Sequence, residues 1–474
     1  MRSTFYGFEI AKSGIQAAQT GLDVTGENMA NISTEGYSRQ VVDQFANRDN
    51  SDSYKISQNA NTVVGMGVTV KGIKQIRDNF LDIRYRDANS EYQAFSKGAS
   101  VMTDIKNILD ETQTDGLNVM LKELYSNLQV LSRNAGDVEI SSLVRSSARK
   151  VTETLNQYDS QLDTITAQQT FDMNVAVENV NTLLSKIDGL NDTMKTEKLQ
   201  GNTTNELEDQ RNIYLDQLSS FLNVSVEKNA DGSVSIKTGG TYLLNAQTDT
   251  VSTLSVIADP GNLHIENENG ATIGVTGGSF YGLMEVLNGK GCYAASGENS
   301  YRGVLYYKSA LDDFAKAFAN TINTLNGVGK PLFDGTAAKD ITISDDWIAD
   351  ANYITASQIG GNNGANDNIL KMISAMDSIT GVSPYFNGTF GDYTLSLMSD
   401  VGIDLDYKNV MSKSSNLVLA SISNQRESIM GVSLNEETAS LLQYQKAFEA
   451  SSRFMTTLDE ALDVIINRMG VVGR

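Results

Sequence analysis

FEIAKSGIQAAQTGLDVTGENMANI, residues 8–32, and LNEETASLLQYQKAFEASSRFMTTLDEALDVIINRMGVV, residues 434–472, carry one seven-residue apolar spacing at opposite ends of the chain. In the first, Phe8, Ile15, Leu22 and Met29 fall seven apart, with Ala11, Ala18, Thr25 and Ile32 three residues after each. In the second, Leu434, Leu441, Phe448, Met455, Leu462 and Met469 repeat the spacing, and Tyr444, Ser451, Leu458, Ile465 and Val472 form the second row. Alternating steps of three and four place both rows on one helix face, the seam of a coiled coil. The N-terminal seam alternates large with small residues and the C-terminal one is mostly large. Knobs from the second helix are therefore expected to fill the shallow row of the first. Adhesive helices at both ends point to assembly before chemistry.

Working inward, Gly7, Gly14, Gly21 and Gly26 each weaken the expected helix over 3–32 by ~1 kcal/mol relative to Ala. Its few large apolar side chains return ~2 kcal/mol apiece, against ~1–2 kcal/mol per ordered residue in backbone entropy. The helix is expected to be marginal alone and stable only against a partner.

The chain has 474 residues, a prior of about three domains. Its formal charge is -21, with 37 basic and 58 acidic residues. Residues 1–40 hold three basic and four acidic residues and 434–474 hold four and six, so almost all the negative charge lies between them. Near-neutral ends do not repel their own copies, and an acidic body keeps the whole soluble. A nucleic-acid partner is not expected, because that needs a basic footprint. The single cysteine, Cys292, excludes an intrachain disulfide. No apolar secretory segment opens the sequence and no run reaches the ~18 apolar residues of a membrane helix, so no membrane partner is expected.

Between the ends the period changes repeatedly. Residues 33–75 read as irregular, closing in an alternating stretch from Val63 to Val70. Helical patterns follow from Asn79 to Thr112 and, after a turn at Thr114-Asp115-Gly116, from Leu117 to Ser132. Neither Gly nor Pro lies between Asp137 and Gly189, and the apolar spacing predicts a rod of about 50 residues whose phase slips near Phe171. A helix over Asn205–Leu222 gives way to period-two segments joined by Ala230-Asp231-Gly232 and Asn267-Glu268-Asn269-Gly270, which are hairpin signals. Helix returns over Tyr301–Val328, resumes near Val410 and breaks at Gly431. The expected fold is multidomain α+β: long terminal helices forming a coiled-coil or bundle rod, with small β-rich domains inserted. The expected divisions are 1–40 with 434–474 as a terminal coiled coil, disordered in the monomer. An elongated helical domain takes 41–222 with 301–329 and 409–433, a small antiparallel β domain takes 223–300, and a second mixed insertion takes 330–408.

Catalytic constellations are weak. His264 stands alone in an apparent strand, and general-base work needs an oriented partner. No Cys/His cluster has metal spacing, so no metal or other cofactor is expected. Gly289-Lys290-Gly291 lacks the Ser or Thr that follows the Lys of a phosphate loop. The turn ending at Gly270 puts Ile265 and Thr276 where a calcium loop needs acids. The pairs Asp345/Asp346 and Asp404/Asp406 are available to a glycosidase, but read more simply as solvated acids of an acidic protein.

One motif follows the first helix: Asn28-Met-Ala-Asn31-Ile-Ser-Thr34-Glu-Gly36-Tyr37-Ser38-Arg39-Gln40. It resembles the Asn-x-Ala-Asn…Thr-x-Gly-Tyr signature of bacterial flagellar rod, hook and hook-associated proteins. Its Gly-Tyr-Ser-Arg-Gln ending is similar to the hook-associated form. Asp115-Gly116-Leu117, Leu207-Glu208-Asp209-Gln210-Arg211, Gly277-Gly278-Ser279 with Gly282-Leu283-Met284, and Asn435-Glu436-Glu437 through Ser451 resemble further segments of that family, in order. Met29 and Glu35 depart from the commoner residues, and 330–408 match only weakly. Physically, Asn28 and Asn31 can bond backbone as the helix ends, Gly36 can take a positive φ, and Tyr37 is a large anchor with a polar tip.

The resemblance implies a structural, non-enzymatic subunit joining hook to filament in the bacterial flagellum. It would be exported through the flagellar type III apparatus to the cell exterior and polymerise through its terminal helices. The implied partners are copies of itself, other axial proteins such as the hook protein and the next hook-associated protein, and an export chaperone near the C-terminus. The alternatives are another axial subunit, flagellin or hook protein, or a hydrolase displayed on the same scaffold.

Overall fold

The computed structural model describes residues 6–47, 65–109, 116–259, 262–358 and 364–468. Thr114, Asp115, Met469, Val472 and the start of the Val63–Val70 stretch lie outside them.

The chain begins with α1 (Tyr6–Ala30) and turns at Gly36 into β1 (Gln40–Ala46), which pairs antiparallel with β2 (Val68–Gln75). Ordering in this stretch therefore starts earlier than the apolar alternation suggested. The β1–β2 register sets Gln40 opposite Gln75 and Ala46 opposite Val68, with a bulge at Asp43/Gln44. Then come α2 (Asn79–Leu109), α3 (Leu117–Arg133), α4 (Val138–Gln200) and α5 (Asn205–Phe221).

Helix α4 runs unbroken for 63 residues, roughly 95 Å. Asp137 caps its start by accepting the N–H groups of Glu139 and Ile140, and Gly201, at φ 83°, closes its end. Its buried stripe follows Val144, Ala148, Val151, Leu155, Tyr158 and Leu162, then passes through Gln169, Met173 and Val177 to Val180. Successive steps of four around Gln169 are the phase slip. They turn Phe171 outward to 67% exposure, and the helix absorbs the stutter without breaking.

Against α4 lie β3 (Ser225–Lys228), β4 (Val234–Thr238), β5 (Thr241–Asn245) and β6 (Thr250–Val251) in one antiparallel sheet, and β7 (Leu254–Asp259) with β8 (Asn262–Asn267) in a separate hairpin. Two asparagines of α4 fasten them. Asn181 donates to Leu254 O and accepts from Leu254 N, both at 2.9 Å, and Asn191 does the same with Val234, both at 3.0 Å. Each amide thus completes a strand edge that would otherwise be buried unpaired.

Gly278–Leu287 form α6, a helix inside the 223–300 stretch expected to be an antiparallel β domain. Ala94 backbone lies so close to Gly282 that a side chain there would overlap it, so the glycine lets α6 press against α2. Next come α7 (Val304–Asn326), β9 (Phe333–Asp334) paired with β10 (Thr342–Ile343), α8 (Asp345–Ala349), α9 (Asp367–Asp377) and the hairpin β11 (Thr380–Ser383) with β12 (Phe386–Gly388). Helix α10 (Phe390–Met430) starts some twenty residues before the expected Val410. Thr389 and Asp392 form a capping box that sets its first turn, so the Gly-rich composition around it marks the hairpin and not the helix. Gly431 ends α10, and α11 (Leu434–Asp463) follows. One continuous apolar core runs through α2–α7, the sheets and hairpins from β3 onward and the first half of α10. The architecture is multidomain α+β, dominated by long helices.

The terminal helix pair and its polar hub as the candidate functional site

Helices α1 and α11 pack antiparallel along their length. The contact is set by Gly7, Gly14 and Gly21. A Cβ on Gly7 would lie 2.8 Å from Leu458 Cδ1, one on Gly14 2.7 Å from Ser451 Oγ, and one on Gly21 2.5 Å from the Tyr444 ring. Seven residues further, Asn28 Nδ2 donates to Glu437 Oε2 at 3.0 Å. The inner row of α1 is therefore Gly7, Ala11, Gly14, Ala18, Gly21, Thr25 and Asn28, a four-three alternation of small and polar residues.

This corrects the expected seam by one residue. Phe8, Ile15, Leu22 and Met29 are only half-buried and flank the contact, while Ala11, Ala18 and Thr25 are buried in it. The glycines, which look like a helix cost, are the holes that receive Leu458, Ser451 and Tyr444. On α11, Leu441, Tyr444, Phe448, Met455, Leu458 and Leu462 are half-buried. Leu434 and Ile465 are exposed, at 52% and 46%, because the register carries them past the two ends of α1. Ile32, likewise expected in the seam, lies beyond α1 and is exposed. Leu442, Phe454, Val464 and Ile466 are also exposed, and Glu437 is the one residue of α11 buried outright. The helix pair therefore leaves several large apolar side chains uncovered.

Beneath the pair lies a polar hub built from the motif after α1. Asn28, 1% exposed, makes all four bonds its amide allows. Its Oδ1 accepts from Gln40 N and from Tyr37 Oη, both at 2.9 Å, and its Nδ2 donates to Gln40 O at 2.9 Å and to Glu437. Gly36 turns at φ 76° with Ile213 where a side chain would be. Burial, then the nearby carboxylates of Glu27, Asp209 and Glu206, push the Tyr37 phenol well above its ordinary range, so it remains a donor. Arg39 donates from Nε to Glu437 Oε1 at 2.6 Å and from Nη1 to Glu436 Oε2 at 2.7 Å. Its backbone N–H bonds Met430 O at 2.9 Å, tying the motif to the end of α10. Gln40 donates to Glu206 and accepts from Asn205, both at 3.0 Å. Asn31 and Thr34 stay at the surface: Asn31 donates to Glu27 O at 3.1 Å and Thr34 to Asn31 Oδ1 at 3.1 Å.

Ser38 opens a second network. Its N–H and Oγ–H donate to the two oxygens of Asp209 at 2.9 and 2.7 Å. Arg77 bridges Asp209 (3.2 Å) and Asp82 (2.7 Å), Arg426 bridges Asp82 (3.5 Å) and Asp216 (2.6 Å), and Arg86 completes the series on Asp216 at 2.8 Å. Three arginines and three aspartates alternate, all largely buried, so no charge is left uncompensated. Burial raises the Asp209 carboxyl above its usual range, opposed by the Ser38 bonds and by Arg77. The series joins the motif to α2, α5 and the end of α10. Asp209 and Glu437 sit inside segments quoted for their resemblance, although no role was read for them. Arg77 and Arg426 carried no signal at all, since their partners come from distant parts of the chain.

Asp404, Asp346 and His264 are engaged in structural bonds, whereas Asp345 and Asp406 are exposed. Asp404 is held bidentate by Arg302 at 2.8 Å, and Asp400 pairs with the same guanidinium at 2.7 Å. Asp346 accepts the Tyr353 hydroxyl at 3.1 Å, and Asp406 is exposed. His264 lies between Asn262 O (3.0 Å) and Glu266 Oε1 (3.1 Å). Among the described residues no cluster has the makings of a metal site, and no helix is long and apolar enough to cross a membrane.

A helix pair made of the two chain ends, seated on a motif-built hub, is the geometry against which likeness to known proteins can be set. Residues 8–37 match the family described as flagella basal body rod protein, and residues 424–469 match the flagellar basal body rod FlgEFG protein C-terminal family. Both ends are thus of the type found in the axial proteins of the flagellum. Residues 102–342, half of the chain, match the flagellar hook-associated protein FlgK helical domain, and the chain belongs to that family of structural flagellar proteins. It is 29% identical to flagellar hook-associated protein 1 of Bacillus subtilis (strain 168) over 100% of both chains. It is 24% identical to flagellar hook-associated protein 1 of Escherichia coli (strain K12), over 96% of this chain and 98% of that one. The solved flagellar hook junction protein FlgK from Burkholderia pseudomallei is 20% identical at a TM-score of 0.46, over 53% of this chain and 46% of that chain.

Proposed function

We propose that this protein is a structural subunit at the junction of flagellar hook and filament, polymerising through α1 and α11, with no catalytic activity. The observation that carries the proposal is the partly covered helix pair. Leu434, Leu442, Phe454, Ile465 and Ile466 stay exposed after pairing, and apolar side chains left uncovered on several sides of one helix pair mark surface for further subunits. Coupled folding follows: helices too weakly buried alone gain their stability when neighbouring copies cover the remaining faces. Contacts of this kind are heterologous, as a tube requires. The partners are copies of the chain and the axial proteins on either side, hook protein and the next hook-associated protein. Export proceeds unfolded through the flagellar type III apparatus to the cell exterior, with a chaperone holding the C-terminal region beforehand. The match of residues 102–342 favours this reading over flagellin or hook protein.

The test is placement. Gold-labelled antibody against the chain should mark one band at the base of each filament, and deletion of the chain should leave hooks without filaments. Label spread along the filament, or intact filaments after deletion, would reject the junction assignment.

A further inference from the structure

The three glycine holes of α1 are alike and seven residues apart, and the side chains that fill them, Leu458, Ser451 and Tyr444, repeat that spacing while differing in size. Because holes of one kind already accept side chains as different as Ser451 and Tyr444, shape alone does not fix the register. If α11 slid outward by one heptad, Ser451 would face Gly7, Tyr444 would face Gly14, and Glu437 would face Gly21, so every glycine would again be filled while Leu458 passed beyond the end of α1. The linker Gly431-Val432-Ser433 and the last turn of α10, released from its bond to Arg39, would need to follow by about 10 Å, within the reach of a few extended residues. What separates the two registers is chemical. In the observed one Glu437 meets Asn28 at 3.0 Å and Arg39 at 2.6 Å, with every Asn28 amide bond made. In the slid one a carboxylate would be buried against Gly21 without either partner, and the Asn28 amide would lose one of its acceptors. Buried charge without compensation is among the most costly arrangements in a fold, and a single buried polar pair is a known means of fixing helix register.

We infer that Asn28, Glu437 and Arg39 act as a register lock: they select, among the glycine-hole pairings of α1 with α11 that differ by a heptad, the one that seats the terminal helices on the body. The apolar residues hold the helices together; the lock decides where. This rests on the helix pair itself and not on where in the cell the protein works.

Disulfide trapping in the full-length chain reads register directly, and needs the pair to form only transiently. In a Cys292→Ser background, Gly14→Cys/Ser451→Cys reports the observed register, because a Cβ on Gly14 lies 3.5 Å from Ser451 Cβ, within disulfide range. Gly7→Cys/Ser451→Cys reports the slid register, its two positions lying about 10 Å apart in the observed one. With the lock intact only the first cross-link should form. In Asn28→Ala/Glu437→Ala the second should rise from undetected to a yield comparable with the first. Glu437→Gln, which keeps the Asn28 bond and loses only the charge, should give an intermediate yield. If the double alanine chain forms only the first cross-link, register is set elsewhere and the inference fails. If it forms neither, the three residues supply the pairing itself and not its register, and the inference fails equally.

Discussion

At the scale of single residues, the functional region is held by polar groups whose partners lie far away in sequence. Asp209 binds Ser38 through two bonds and Arg77 through a third, in a site where all are largely buried. Asp209→Ala should destabilise the body by about 3–5 kcal/mol, the cost of leaving a buried arginine and a backbone N–H uncompensated, read as a lower midpoint in chemical denaturation. A shift within error would mean the network is ornamental. His264 offers a pH prediction. The hydrogen bond to Asn262 O and then the Glu266 carboxylate raise its pKa in the folded chain. A raised value contributes stability fully present below the unfolded value of about 6.5, and lost as pH rises through the higher folded value. As the only histidine it gives one imidazole signal, whose NMR titration midpoint should lie above that of an unfolded peptide and fall in Glu266→Gln. Such roles were hard to read from sequence. The motif residues stood out as a group, yet that Asn28 would face Glu437 and Ser38 would face Asp209 is a property of three-dimensional closure, which spacing along one segment does not encode.

At the scale of elements, the terminal pair separates two kinds of glycine. Gly21 faces the Tyr444 ring, whereas Gly26, on the same helix, has nothing within contact distance. Gly26→Ala should stabilise α1 by about 1 kcal/mol through helix propensity alone, and Gly21→Leu should abolish its pairing with α11. Hydrogen exchange along α1, measured under conditions where the pair forms, checks both: slower in the first, unprotected in the second. The heptad spacing at the two ends was legible, and so was the pairing of large knobs with a shallow face. The seam was read one residue off because large apolar residues were weighted over glycines, although in a closely approaching pair the smallest residues mark the centre. The long rod and its phase slip were legible because α4 has no Gly or Pro in its first fifty residues. Helix α6 and the early start of α10 were not, since short helices rich in glycine and a capping box at Thr389 leave little periodic signal.

At the scale of the molecule, a well-buried body and a partly covered tail make different demands. The core through α2–α7 and α10 is continuous, while α11 buries a single residue outright. Limited proteolysis of the dilute chain should therefore remove α1 and α11 early and leave the middle resistant, including Ser38 and Gln40, which are anchored on α5; terminal helices as resistant as the middle would speak against folding coupled to assembly. The central claim, that the partly covered pair is the assembly contact, is tested most directly by Phe448→Asp expressed in place of the unaltered chain, with filaments counted by electron microscopy. The account predicts hooks without filaments, while circular dichroism and the proteolysis pattern of the purified middle remain those of the unaltered protein. Normal filaments from this variant would contradict it.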